Sequence, residues 1–315
     1  MKRFIAVMVG SWMAVMTLGS VAGWGAETLT LMLDWFPNVD HVPIYVARER
    51  GYFSEEGLEV EILSPSDTAD SLKLAAAGKV DVAVSYQPQM TIAAAEGVGL
   101  KVVGRLVGHP LTTLLFLKSS GVRAPADLSG KTIGYTVPGL MDVLLAAFAD
   151  VNGIESYTPV NVGFAIAASL TSGKVDAVMG PFKTYETVTL SQMGLDAGFF
   201  ELEQWGIPPY DELIFVCGKE AASQRSSAMV RFREAVARGI ERTRLQPESA
   251  FEDYLKSVPD VDKDTETKAF VLTRPYFADH QRFDPKRWEA FANFALATGL
   301  IQTPVDVRSL PIQEP

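Results

Sequence analysis

Along the chain from residue 28, short β-type apolar runs alternate with stretches whose apolar positions recur every three or four residues. Residues 28–33 form the first run and 43–49 the first helical stretch, which ends at Gly51. Residues 58–62, Leu-Glu-Val-Glu-Ile, then alternate with period two, the mark of a strand with one buried face. Residues 70–77 predict a helix closed by Gly78, 80–84 a strand, 90–96 a helix and 100–106 a strand. Strands separated by helices at this spacing predict a parallel sheet in an α/β domain.

The pattern then runs a second time with different residues. Residues 132–135, 159–162 and 175–179 read as strands, and 140–151 and 165–172 as helices. The echo is sharpest between Gly78-Lys79-Val80-Asp81 and Gly173-Lys174-Val175-Asp176, each a helix end, a glycine stop and the start of a buried strand. Two related α/β lobes are the favoured reading, and one larger doubly wound sheet is the alternative. A further apolar segment at 212–217 follows, and beyond it only helical patterns occur, at 226–244, 247–257, 264–273 and 285–298. The predicted division is therefore lobe one at 27–112, lobe two at 113–212, and a return strand with a helical tail at 213–315 that completes lobe one. The chain crosses between lobes near 111–118 and again near 210–216, and two crossings suit hinge closure around a ligand.

Residues 1–26 have a different character. Lys2 and Arg3 precede an uncharged apolar run at 4–18 and then the small residues Gly19, Ser20, Ala22 and Gly23, the pattern of a signal peptide. The run is shorter than the about 20 residues a membrane span needs, and no lipobox cysteine follows it. A soluble, periplasmic protein is the expectation. Its charge narrows the choice of partner: 28 Lys and Arg stand against 38 Asp and Glu, a net charge of −10. Loss of Lys2 and Arg3 leaves 26 basic residues against 38 acidic, about −12. With no basic stripe to neutralise phosphates, nucleic acid is not expected as a partner. The single cysteine, Cys217, cannot form an internal disulfide or by itself a zinc site. The three histidines, His41, His109 and His280, show no compact metal-binding spacing. No metal and no cofactor are expected.

In open α/β sheets ligands bind beyond the carboxyl ends of the strands. After the first strand comes Asp34-Trp35-Phe36-Pro37-Asn38-Val39-Asp40-His41-Val42-Pro43; after residue 84, Ser85-Tyr86-Gln87-Pro88-Gln89. After residue 179 comes Gly180-Pro181-Phe182-Lys183-Thr184-Tyr185-Glu186, and at the return crossing Pro208-Pro209-Tyr210-Asp211-Glu212. Trp35, Tyr86 and Tyr185 on separate strand ends can hold a flat heteroaromatic ring by stacking worth about 0.5–1.5 kcal/mol per pair. Core or lip positions are the alternative for all three. Glu212, Asp34, Asn38 and Gln89 are candidates to read the edge of such a ring, and His41 is a further candidate contact. A carboxylate suits an amine beside a protonated ring nitrogen, because it accepts from both. The helix start at 138–141 is a weaker candidate for an anion.

The run Asp34-Trp35-Phe36-Pro37-Asn38-x-Asp40-His41-x-Pro43-x-Tyr45-Val46-Ala47, with Gly51-Tyr52-Phe53 and Gly57-Leu58-Glu59-Val60 after it, resembles the opening of the thiamine-pyrimidine binding family. That family includes substrate-binding proteins of ABC importers and the fungal hydroxymethylpyrimidine synthases. The resemblance continues through Gly130-Lys131-Thr132-Ile133-Gly134-Tyr135 and Tyr210-Asp211-Glu212-Leu213. It implies a periplasmic-binding-protein fold and a 4-aminopyrimidine ligand, such as a formylated or hydroxymethylated thiamine precursor. It further implies Trp35 and Tyr86 as stacking groups, Asn38 and Glu212 at the amine edge, and Tyr185 closing from lobe two, with Asp34, His41 and Gln89 as further contacts. A monomer that delivers its ligand to an ABC permease in the membrane also follows from the resemblance. The fungal-type synthases resemble this chain but carry a lysine for pyridoxal phosphate and, four residues on, a histidine consumed in the reaction. Aligned on Gly78-Lys79-Val80-Asp81, those positions here are Ser85 and Gln89, and the synthases' cysteine-rich run is missing. With no amine at residue 85 no Schiff base can form there, so a receptor is expected and an enzyme is not. Receptors for riboflavin or a sulfonate are the alternatives within the binding class.

Overall fold

Two five-stranded sheets, each covered by helices, organise the molecule; the computed structural model describes residues 25–313. The predicted signal peptide, 1–26, falls almost entirely outside the described residues. The first lobe runs β1 (Glu27–Met32), α1 (Val42–Glu49), α2 (Tyr52–Glu55), β2 (Leu58–Leu63), α3 (Asp70–Ala76), β3 (Val82–Ser85), α4 (Gln87–Ala95) and β4 (Leu100–Val107). The second runs β5 (Thr112–Leu117), β6 (Lys131–Tyr135), α5 (Met141–Asn152), β7 (Tyr157–Asn161), α6 (Ile166–Thr171), β8 (Ala177–Phe182), α7 (Glu186–Gln192) and β9 (Ala197–Glu201). The chain returns through β10 (Leu213–Gly218) to α8 (Lys219–Gln224), α9 (Ser226–Leu245), α10 (Pro247–Ser257), α11 (Lys263–Thr273) and α12 (Pro285–Ala297). Among the described residues no helix is long and apolar enough to cross a membrane.

Strand order is β2-β1-β3-β10-β4 in one sheet and β7-β6-β8-β5-β9 in the other. Neither sheet is wholly parallel, which corrects the expectation from spacing. β1 runs parallel to β2 and β3, and β6 parallel to β7 and β8. The strand that arrives from the other lobe, however, enters each sheet from the opposite end: β10 lies antiparallel between β3 and β4, and β5 antiparallel between β8 and β9. β9 is a strand that the sequence pattern does not show. It is a sheet edge with only Phe200 buried, so it carries no period-two signal.

The repeated Gly-Lys-Val-Asp motif has a common structural role. Gly78 and Gly173 take φ of 63° and 69°, a left-handed turn that favours glycine at a helix end. The aspartate that follows then ties its strand to the parallel neighbour in its own sheet, β1 in one lobe and β6 in the other. Asp81 accepts from Thr30 N at 2.8 Å while its own N–H donates to Thr30 O. Asp176 accepts from Thr132 N at 2.9 Å while its N–H donates to Thr132 O.

The tail completes the core of lobe one. α9 packs on α1 and α2, and Phe232 stacks on Phe53 with ring centroids 5.5 Å apart. A side chain at Gly239 of α9 would place its Cβ 2.2 Å from the Pro43 carbonyl, so glycine permits the close crossing with α1. The tail does not stay on lobe one, as the sequence reading had it. α11 also packs on α7 of lobe two, where the Thr265 hydroxyl bonds to Gln192.

Candidate functional site

A narrow cavity lies between the lobes at the strand ends, lined from lobe one by Asp34, Trp35, Asn38, Asp40 and Tyr86. Lobe two contributes Thr136, Ile166, Gly180, Phe182, Tyr185 and Glu186. The lobes are closed on one another here. Thr68 Oγ1 donates to the Thr136 carbonyl at 2.7 Å, and the Trp35 and Phe164 rings meet edge to face at 4.5 Å. Gly180 has φ of 123°, and a Cβ there would sit 2.0 Å from Thr136 Oγ1, so only glycine lets the β8 strand pass so near the cavity wall.

The segment after β1 folds into a 3-10 turn, Val39–His41, capped by the side chain of Asn38. Asn38 Oδ1 accepts from Asp40 N at 2.9 Å, which leaves the Asn38 NH2 with capacity for a ligand acceptor. In return the Asn38 N–H donates to His41 Nδ1 at 3.3 Å. That bond puts the ring proton on Nε2, which donates to Asp34 Oδ1 at 2.9 Å. The second oxygen of Asp34 accepts from Tyr86 OH at 2.7 Å. His41 is fully buried behind the wall and Asp34 is committed on both oxygens, so this triad fixes the Tyr86 ring rather than offering free groups. Burial, with the Asp34 charge beside it, raises the Tyr86 hydroxyl well above its ordinary value, and it remains a donor.

Asp40 is the opposite case. It is 1% exposed, lines the cavity, and neither carboxylate oxygen has a hydrogen-bond partner among the described residues. Burial first, then the charges of Asp34 and Glu186, raise its pKa far above the usual carboxylate range. Glu186, at the start of α7, accepts from Phe182 N at 2.7 Å and is pushed up to about 7 by burial against the pull of that amide. Tyr185 closes the cavity from lobe two, and its hydroxyl donates to Glu266 of α11 at 2.7 Å, where Tyr254 donates to the second oxygen at 2.9 Å. Three carboxylates thus line the cavity and, among the described residues, no lysine, arginine or histidine does. Lys183 turns away, 2.6 Å from Glu201 and 3.2 Å from Glu203.

Of the residues predicted from sequence, the structure brings Trp35, Asn38, Asp34, Tyr86 and Tyr185 to the cavity. It sets three aside. His41 acts through Asp34. Gln89 bonds to Ser85 at 2.8 Å on α4, away from the cavity. Glu212 is fully buried at the crossing, where it accepts from Leu111 N, from Thr112 N at 2.8 Å and from Thr112 Oγ1 at 2.7 Å. Its oxygens are engaged by the chain itself, so it clamps the two crossing segments together and does not line the cavity. The helix start at 138–141 is satisfied by Asp142, which accepts from Gly139 N at 2.7 Å. Asp40 and Glu186 are the residues that sequence reasoning missed. Both lay inside segments already singled out, but only burial shows that Asp40 is without a partner. Among the described residues no cluster of three or more potential ligands is placed to hold a metal.

The pKa values of Glu186 and Glu212, each pushed up to about 7, imply a pH-dependent stability. A carboxyl raised in the fold contributes stability below its unfolded value of 4.5 and loses it as pH rises through the folded one. From these two groups the empty protein is expected to melt several degrees higher at pH 5 than at pH 8, with the loss between about 4.5 and 7. Thermal melts across that range check it.

Two α/β lobes closed over an aromatic slot free of basic groups make this a protein of the periplasmic-binding-protein fold. The solved alkanesulfonate-binding protein SsuA of Xanthomonas axonopodis, bound to MOPS, superposes with a TM-score of 0.73 over 90% of this chain and 98% of that one, at 17% identity. That likeness is one of fold. The chain belongs to the NMT1/THI5-like family, whose description it matches over residues 38–250. It is 35% identical to a Haemophilus influenzae protein provisionally named for thiamine biosynthesis, over 99% of this chain and 98% of that one. It is 34% identical to the formylaminopyrimidine-binding protein of Halalkalibacterium halodurans, over 71% of this chain and 68% of the relative. A 4-amino-5-hydroxymethyl-2-methylpyrimidine phosphate synthase of Legionella pneumophila is 27% identical over 89% of each.

Proposed function

We propose that the protein is a solute receptor that closes on a 4-aminopyrimidine of the thiamine-precursor type, outside the cytoplasmic membrane, and presents it to the permease of an ABC importer. The observation that carries this is Asp40, an unpartnered buried carboxyl in an aromatic slot. Such a group is costly unless a ligand supplies donors, and an aminopyrimidine supplies them from its amine edge. Trp35, Tyr86 and Tyr185 supply the faces for the ring, and Asn38 a donor for its other edge. A sulfonate would meet three carboxylates and no base, so the fold it shares with alkanesulfonate receptors does not extend to their class of ligand.

Receptor is favoured over synthase by the positions after β3. Ser85 and Gln89, which stand where the synthases' lysine and histidine are expected, hydrogen-bond to one another and carry neither amine nor imidazole. Native mass spectrometry with formylaminopyrimidine, hydroxymethylpyrimidine, thiamine, riboflavin and taurine tests the reading. An aminopyrimidine complex of micromolar affinity or tighter is expected, and Trp35→Ala should lose about 0.5–1.5 kcal/mol per stacking contact removed. Retention of taurine or riboflavin in place of the aminopyrimidines would overturn the ligand assignment.

A further inference from the structure

We propose that the cleft recognises a planar aromatic amidinium edge, two N–H donors on either side of one carbon, with Asp40 as the residue that selects for it. This rests on the reading of the cleft as a small-heterocycle receptor and specifies the form in which the ligand is held. Asp40 has two buried oxygens without partners. A bidentate donor pair satisfies both at once. Every titratable group facing it is an acid or a neutral donor already engaged. On its own segment these are Asp34 and His41, whose ring proton goes to Asp34. Tyr86 at the start of α4 donates to Asp34, and Tyr185 at the start of α7 donates to Glu266 of α11. Glu186, Glu266 and, at the crossing, Glu212 add only negative charge. Among the described residues no cationic side chain faces Asp40, so a cationic ligand edge supplies the pairing that the protein does not.

The proton balance separates this from ordinary hydrogen bonding. A neutral 4-aminopyrimidine presents an amine donor next to a ring nitrogen lone pair, and that lone pair would face an ionised oxygen. One proton taken from solvent must lie between them, on the ring nitrogen or on Asp40. Either placement gives the same count. A benzamidinium ion brings both donors already. Whatever the state of Asp40 in the free protein, the aminopyrimidine complex then holds one proton more, relative to its free components, than the benzamidine complex.

Isothermal titration of the purified protein with hydroxymethylpyrimidine and with benzamidine, each in two buffers of different ionisation heat, counts those protons. Both ligands are expected to bind, with proton counts differing by one. From pH 7 to 9 the affinity ratio of aminopyrimidine to benzamidine should fall about tenfold per unit. Asp40→Asn should weaken benzamidine at least about thirtyfold, whereas Glu220→Gln, at an exposed position of α8 outside the cavity, should leave both affinities and the one-proton difference in place. Equal proton counts in the unaltered protein, or no binding of benzamidine, overturn the proposal even if the aminopyrimidine binds and the receptor reading stands. Benzamidine bound through Asp40 with no aminopyrimidine bound would support the amidinium edge and remove the thiamine-precursor assignment.

Discussion

Asp40→Asn is expected to raise the thermal midpoint of the empty protein while depriving it of most of its affinity for an aminopyrimidine. The two effects have one cause. In the closed cleft the carboxyl is buried without a partner and faces other carboxylates, so its raised pKa is a stability cost at neutral pH. That cost is absent below the unfolded value of 3.8 and grows as pH rises through the folded one. Asparagine keeps the shape and removes the charge, so the gain, about 1–3 kcal/mol, should be present near pH 7 and vanish toward pH 4. On the proposed reading, the same charge is the one an aminopyrimidine's donors neutralise. Its removal should cost about 2–5 kcal/mol of binding, the range for breaking a buried charged pair. Melts without ligand and titrations with it, on the same preparation, check both signs. A variant that loses stability and keeps affinity would make Asp40 a structural residue.

Glu212 should behave in the reverse sense. Its carboxylate accepts from two amides and a hydroxyl at the start of the first crossing strand, so Glu212→Ala leaves three buried donors unmet. A loss of at least about 3 kcal/mol of folding stability is expected, at about 1–3 kcal/mol for each unmet buried donor, read by urea denaturation. Glu212→Gln, which retains a carbonyl for the Leu111 and Thr112 amides, should lose less and bind ligand nearly as well. Affinity lost at unchanged stability would return Glu212 to direct ligand contact.

Much of the fold was legible because its signals are local. Gly78 and Gly173 stop helices by their own conformational freedom, and the Leu58–Ile62 alternation needs no partner to be recognised. The direction in which β5 and β10 enter their sheets is different. It depends on where the chain has been, and no property of Leu213 or Thr112 encodes it. The site divides in the same way. The rule that ligands sit beyond strand ends placed Trp35, Asn38, Tyr86 and Tyr185 at the cavity. Among the carboxylates, spacing could not tell which would be left free. Asp34 finds its partners 7 and 52 residues away and Glu212 about 100 away, while Asp40, six residues beyond Asp34, finds none among the described residues. A residue type announces what it can bond to. Only tertiary structure shows whether that capacity is already spent.

The position of Glu266 along the chain has a consequence for the order in which the protein becomes competent. Every residue lining the cavity lies at or before Glu186, but the carboxylate that holds Tyr185 across the cleft belongs to α11, some eighty residues later. A chain that emerges amino end first acquires the walls of its pocket, and the Thr68–Thr136 and Trp35–Phe164 contacts across it, well before the carboxylate that holds Tyr185. The clamp on Tyr185 is therefore completed only late in the protein's own assembly, and a fragment ending after β10 would possess the complete lining of the pocket without that clamp.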